Sequence, residues 1–544
     1  MRTGFFLFWF LPLISLIFSF SSCEEDAPVI SAIDPRIGQL GEVLTITGEN
    51  FGDEQAESYV TIAGIPPTTS SYIEWKQDRI QVKVPEFGGS GLVYVFVKGK
   101  KSNPELFANR ADIPMQVEED NAGIGPRIKA IEPASGTVGS LITIKGRGFG
   151  ASRDGSGVWF SWKAENSPAT PAEVRQNEAV EASETEFGYE SWNDREIQVR
   201  IPDGTVSGTV EARTPRGSSL PVSFDITGKP GTKTFKDKRS YTIRYSVDIH
   251  VQEASGHNSL YLWIPRPITS SSQRNIQILE RSHDAFIENY RGSSLFQLVD
   301  LAPQSTAGIF FSCLIDVYTV ETGLRTAQIK QNRNSPIHTA YTLSTSLIPS
   351  DNEKIKLLAA SIVGKEQNPH LKAQLIYRWL ISKAGMQAAT VNRTVVECIE
   401  EKRCDSYTAA LIFCSLARAA GVPALPVAGV LVNHSLSASK HYWAEFWIDG
   451  FGWVPVDPAL GAGLAPAAFN LKENHAAYYF GNIDNQRIAF SKGEIRVSRM
   501  DPRGRVSVRN RDYALQDLWE EASGGLDSYS SLWSDIIITG VYTQ

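Results

Sequence analysis

Residues 397–432 read ECIEEKRCDSYTAALIFCSLARAAGVPALPVAGVLV, and after a short polar loop residues 439–458 read SKHYWAEFWIDGFGWVPVDP. The first part predicts a helix beginning at Cys404, with Tyr407, Ala410, Leu411, Cys414 and Ala417 on one apolar face. Gly421 suits a left-handed C-cap, and Pro423 forbids continuation. Residues 424–432 then read as a buried strand, 441–449 as a second and 453–457 as a third. The link Asp449-Gly450-Phe451-Gly452 is a turn signal, so the last two form a hairpin.

A hairpin that reverses there returns Asp457 to within a few residues of His441. A Cys in the first turn of a helix sits at the positive end of the dipole, which favours thiolate. Cys404, His441 and Asp457 together suit a triad: nucleophile, imidazole base, and a carboxylate that fixes the tautomer. Taken singly, each has a plainer use, since a Cys on an apolar helix is more often a small core residue. Asp405, next to the nucleophile, would oppose thiolate if it turned inward; capping the helix or facing water is the better expectation. His434 is a competing base but lies in a polar loop, Asn433-His-Ser-Leu-Ser-Ala-Ser.

The segment resembles the transglutaminase-like (papain-related) core. The carriers are Cys404-Asp-Ser-Tyr407, the H-x-W-x-E phrase His441-Tyr-Trp443-Ala-Glu445, and Trp453 through Pro458 (WVPVDP). Lys402-Arg403 stands where that family has Gly before the Cys, which bears on the backbone shape around the nucleophile. The resemblance implies an α+β core over 340–500 and cysteine acyl transfer on peptide or protein amides, with Cys404, His441 and Asp457 as catalytic residues. Tyr407, Trp443 and Trp453 are candidates for a substrate groove, although the tryptophans serve equally well as hairpin core. The chemistry requires no cofactor or metal, and no phosphate loop or metal motif is present in the sequence.

At 544 residues the chain holds several domains. A net charge of −7 with no long basic run argues against nucleic acid as a partner. Residues 1–23 read as an export signal: Arg2, an apolar run Phe5–Phe20, Ser21-Ser22, then Cys23 and acidic residues. The Cys after small residues resembles a bacterial lipoprotein box, with Phe20 three positions before it. That implies lipidation at Cys23 and anchoring in the cell envelope. The remaining cysteines are 313, 398, 404 and 414; a Cys398–Cys414 disulfide is left open by the sequence.

Residues 27–115 and 126–228 are two copies of one unit. PVISAIDPRIGQLGEVLTITGENFG (28–52) aligns without a gap to PRIKAIEPASGTVGSLITIKGRGFG (126–150). Trp75 precedes IQVKVP by five residues, as Trp192 precedes IQVRIP. The second copy carries an insertion within 151–190. Short alternating strands broken by Gly and Pro describe small β-sandwiches, and the repeated phrase resembles IPT/TIG immunoglobulin-like domains. Such modules serve as spacers, adhesins or binding domains; a stalk is the expectation here, with a cell-surface partner as the other use. A linker at 105–125 divides the copies.

Residues 238–330 return to strand patterning and read as a further β-sandwich, its Trp263-Ile-Pro-Arg-Pro267 phrase resembling exported relatives of the core. Asp351 is expected to cap a first helix with Ile355, Leu358, Ala359 and Ile362 inward. Asn368-Pro369 starts a second, with Ala373, Ile376, Tyr377 and Leu380 as its stripe. Residues 501–544 read as a C-terminal extension. The fold class expected is therefore multi-domain: two immunoglobulin-like sandwiches, a further sandwich, then the α+β core. The function expected is an exported enzyme favouring hydrolysis over cross-linking. The alternative is a catalytically silent adhesion or scaffold protein built on the sandwiches.

Overall fold

The computed structural model describes residues 26–86, 89–113, 125–153, 155–165 and 178–543. The export signal and Cys23 lie outside these residues, as do part of the 105–125 linker and part of the insertion. The first repeat packs two sheets. One runs in the order Val29–Asp34, Val43–Glu49, Arg79–Lys83, Tyr72–Lys76, and the second repeat has the same order in Arg127–Glu132, Leu141–Arg147, Glu196–Arg200, Tyr189–Trp192. Ile33 pairs with Ile46 in one copy and Ile131 with Ile144 in the other. The repeated tryptophan has a physical reason. Trp75 Nε1 donates to the Phe51 carbonyl at 2.8 Å and Trp192 Nε1 to the Phe149 carbonyl at 3.2 Å. Both phenylalanines are fully buried, so each indole ties the end of the F-G phrase to the sheet. The linker is shorter than the sequence reading, because Glu105–Asn109 is a strand of the first sandwich.

The third domain is one eight-stranded sheet bent around an apolar core. Its axis is a continuous strand, Gly231–Pro265, starting earlier than the expected residue 238. One edge of that strand pairs with Thr306–Leu324 and Ser293–Val299. The other pairs with Glu520–Trp533 and Ile537–Thr543. The segment expected to be an extension is thus part of this sheet, and Trp519, Leu526 and Trp533 fill its core. The sequence hid this because the partner strands lie about half the chain apart.

The last region supplies seven helices: α1 (Pro336–Thr342), α2 (Glu353–Val363), α3 (Pro369–Lys383), α4 (Val395–Glu401), α5 (Ser406–Ala419), α6 (Pro458–Gly461) and α7 (His475–Tyr478). Its sheet runs β3 (Gly452–Val456), β2 (Ala438–Ile448), β1 (Ala424–Val432), β4 (Arg487–Lys492), all antiparallel. Asn352, rather than Asp351, caps α2 by accepting from Lys354 N–H; Asp351 accepts from Ser344 instead. Asn368 caps α3, with Pro369 in its first turn.

All nine residues of β1 are buried because both faces of this sheet are covered. On one face, Ala444, Phe446, Ile448, Val454 and Val456 pack against α2, α3 and α5. On the other, Leu425, Val427, Trp443, Trp447 and Trp453 share a cluster with Trp162, Phe160 and Ile201 of the second sandwich. The second sandwich is therefore docked on the core and does not stand off as a stalk. Trp447 lies so near Gly139 that a Cβ there would meet its ring at 2.6 Å, and the φ of +85° at that glycine disfavours a side chain as well. Ion pairs seal the contact: Lys492 of β4 bridges Glu445 at 2.9 Å and Glu186 of the sandwich. Lys233, paired with Asp203, donates to the Trp453 carbonyl at 2.7 Å. Removing the largest ring at this junction should leave a cavity that the two domains cannot close. Trp447→Ala is expected to cost about 3–5 kcal/mol in urea unfolding; an unchanged midpoint would mean that the core does not depend on the sandwich.

Candidate active site

The site begins at the mouth of α5. Asp405 is the N-cap: its Oδ1 accepts from Thr408 N–H at 3.0 Å, while Thr408 Oγ1 accepts from Asp405 N–H at 2.9 Å. This reciprocal box satisfies two backbone donors that a helix start leaves open. The second carboxylate oxygen accepts from Val391 N–H at 2.8 Å and pairs with Arg511. The helix therefore starts at Ser406, not at Cys404.

Cys404, placed before the cap, turns inward. Its thiol is fully buried, 3.4 Å from the Ala384 carbonyl and 3.3 Å from Met386 Sδ. The segment beside it clamps the backbone: Cys404 N–H donates to Gly385 O at 3.1 Å and Gln387 N–H to Cys404 O at 2.8 Å. Gly385 must be glycine, because a Cβ would fall 1.8 Å from the Lys402 carbonyl. Burial, with Cys398 and Asp405 nearby, pushes the Cys404 thiol up to about 12. The expected low-pKa thiolate in the first turn is not what this geometry provides. Cys313, Cys398 and Cys414 are free and buried too, so no Cys398–Cys414 disulfide forms.

His441 and Asp457 do meet. His441 Nε2 lies 2.8 Å from Asp457 Oδ2. A carboxylate only accepts, so Nε2 carries the hydrogen and the neutral ring presents a lone pair at Nδ1. No protein partner holds Nδ1 among the described residues. Asp457 also caps α6 through Leu460 N–H at 3.0 Å and receives Arg487 Nη1 at 3.0 Å. Burial alone would raise its carboxyl; His441, Arg487 and that backbone donor outweigh burial and hold it at about 2. Because this pKa is depressed, the stability it adds is present above the unfolded value of about 3.9 and is lost only as pH falls through about 2. Asp457 stays ionised throughout the neutral range. Arg487 is locked in turn by Asp484 at 2.8 Å.

His441 opens onto a cavity of about 430 Å³ whose walls include Gln387, Ser406, Tyr407, Tyr442 and Arg511. Cys404 is not on its wall. The Tyr407 and Tyr442 rings meet edge to face at 4.9 Å, which brings the mouth of α5 against the first half of β2. Arg511 lies 4.4 Å over the Tyr407 ring. Tyr407 thus borders the cavity as a groove residue would. Trp443 and Trp453, the other groove candidates, are buried against the second sandwich instead, because both faces of the hairpin are covered. His434 is exposed in its loop. Ser406 and Arg511 had no role in the sequence reading; the Asp405-x-x-Thr408 cap was the signal that places Ser406 at the helix start.

Residues 356–458 match the family model of the transglutaminase-like superfamily, and residues 28–108 and 126–236 match that of the IPT/TIG domain. The chain carries a transglutaminase-like core behind two IPT/TIG domains. A Haemophilus influenzae protein described only as uncharacterized is 26% identical over 303 residues, 47% of this chain and 79% of that one. Among solved structures, a proposed cysteine protease from Cytophaga hutchinsonii is 15% identical, covers 57% of this chain and 93% of its own, and has a TM-score of 0.36. The periplasmic domain of TgpA from Pseudomonas aeruginosa is 12% identical, covers 41% and 87%, and has a TM-score of 0.24.

Within the transglutaminase-like core, then, the imidazole–carboxylate pair is assembled, and the expected thiol is buried against Ala384 and Met386. In the folded protein at pH 8, Cys404 is expected to resist iodoacetamide and to react only after denaturant is added, with peptide mass spectrometry locating the adduct. Rapid alkylation of Cys404 in the native state would show that the thiol swings into the cavity.

Proposed function

We propose that this protein is an acyl-transfer hydrolase acting on peptide or protein amides at the cavity between α5 and β2. What supports the reading is the buried His441–Asp457 pair, with His441 on the cavity wall and its Nδ1 without a protein partner among the described residues. A base whose second nitrogen is fixed by a carboxylate is suited to take a proton from a nucleophile and return it to a leaving amine. The open N–H groups at the start of α5 suit the oxygen of a tetrahedral intermediate. Hydrolysis is favoured over cross-linking because the cavity is half open to solvent and partly lined by polar side chains, so water can compete with a second amine for the acyl group.

Residues 1–23 support export with a lipid on Cys23, so the work would be done in the cell envelope against peptides or proteins met there. A silent binding protein is the second reading, and the buried thiol is the observation that favours it. There the sandwiches or the cavity would hold a cell-surface partner without turning it over. Release of fluorescent amine from a pool of peptide amides distinguishes the two. His441→Ala and Asp457→Asn are each expected to lower kcat/KM by roughly 10²–10⁴-fold with the fold intact. Turnover indifferent to both changes, or none in the unaltered protein, favours the binding reading. A labelled primary amine offered with a glutamine-containing protein should be incorporated more slowly than acid is released.

A further inference from the structure

We propose that a second cavity, walled by all four domains, binds an apolar organic carboxylate, with its anionic group held by Arg291 and Arg418. The inference concerns another place in the molecule and does not depend on the acyl-transfer reading.

This cavity measures about 270 Å³. Its wall takes Ile30 and Glu105 from the first sandwich, Phe187 from the second, Arg291 from the third domain, and Arg418 and Arg496 from the core. Arg418 stands in the last turn of α5 and Ser406 in the first. Along a helix that rises about 1.5 Å per residue they are roughly 18 Å apart, and the two cavities share no wall residue.

An imbalance of charge singles the place out. Lys492 is taken by Glu445 and Glu186. Arg496 pairs with Glu494 at 3.1 Å and faces Glu105 at 4.0 Å. Arg291 and Arg418 have no carboxylate within ion-pair distance among the described residues. Arg291 Nη1 donates to the Arg496 carbonyl at 3.5 Å. Arg418 is only 7% exposed; its Nε donates to the Ala424 carbonyl at 2.8 Å and its Nη1 to the Leu343 carbonyl at 2.7 Å. Its Nη2 has no partner among the described residues. Burial pulls the Arg418 pKa down to about 10, so the group stays charged at neutral pH. A buried guanidinium without a counter-ion is costly to keep.

The rest of the wall decides what the anion is attached to. A guanidinium fork matches the two oxygens of a carboxylate. Glu105 and Glu494 oppose a second negative charge, which selects a monoanion. Ile30, Phe187, Ile268, Leu347 and Ile348 offer apolar surface that an inorganic oxyanion would leave uncovered. A peptide C-terminus with aliphatic side chains and a short fatty acid both have this chemistry.

Isothermal titration of the full chain with N-acetyl-leucyl-leucine and with octanoate tests this, and the tighter of the two identifies the source. The amide of the better ligand, and inorganic phosphate, are each expected to bind at least roughly tenfold more weakly than the acid. Arg418→Lys keeps the charge without the fork and should weaken the acid by a similar factor. Arg291 is half-buried at a φ of +52°, a conformation asparagine accepts, so Arg291→Asn tests the site even if the buried variant fails to fold. It too should weaken the acid roughly tenfold, whereas His441→Ala should leave binding unchanged. Binding of neither acid, equal binding of acid and amide, or phosphate as tight as the acid would overturn the proposal. So would affinity unmoved by Arg291→Asn but lost in His441→Ala, which would put the acid in the catalytic cavity.

Discussion

One carboxylate holds the mouth of α5 together. Asp405 closes the first turn of α5 onto Thr408 and ties the same corner to Val391 and Arg511. An N-cap is extended rather than helical, and Asp405 has that conformation. Cys404, before the cap, lies in the apolar cluster with Ala409 and Met386, and Ser406, after it, lies on the cavity wall.

The same corner explains how far the sequence could be read. The helix, the hairpin and the meeting of His441 with Asp457 were legible, because each follows from local periodicity and a four-residue turn. The start of α5 was misread by two residues for an equally local reason: the Asp-x-x-Thr cap was given no weight. Arg487 was invisible as a partner of Asp457, since its contact crosses the sheet from another strand and no spacing along the chain encodes it. The tandem sandwiches were plain from their repeated phrase. Their docking was not, because Trp443, Trp447 and Trp453 read identically whether a sheet face meets substrate, its own core or another domain.

That docking gives the catalytic sheet an unusual support. Helices brace one face and two β domains brace the other, so β1 is buried along its whole length. A motif glutamate, Glu445, serves this scaffold by pairing with Lys492 rather than by touching the cavity. The buried Lys492–Glu186 pair fixes the relative placement of two domains at one point, where removing either partner would strand a charge in a dry interface. Such pairs add orientation more than stability.

Arg511 belongs to the stretch past residue 500, yet it neutralises the cap at the mouth of α5 and covers Tyr407. Leu515 from the same stretch packs beside Ala410 and Tyr442, and Asp512 receives the Tyr442 hydroxyl. Ribosomes deliver these residues after every other wall of the cavity has been made. A nascent chain that has finished β4 still lacks the cation that makes its helix mouth hospitable to an anion. A chain that stops before residue 511 would lack both this cation and the Leu515 contact at the mouth of α5.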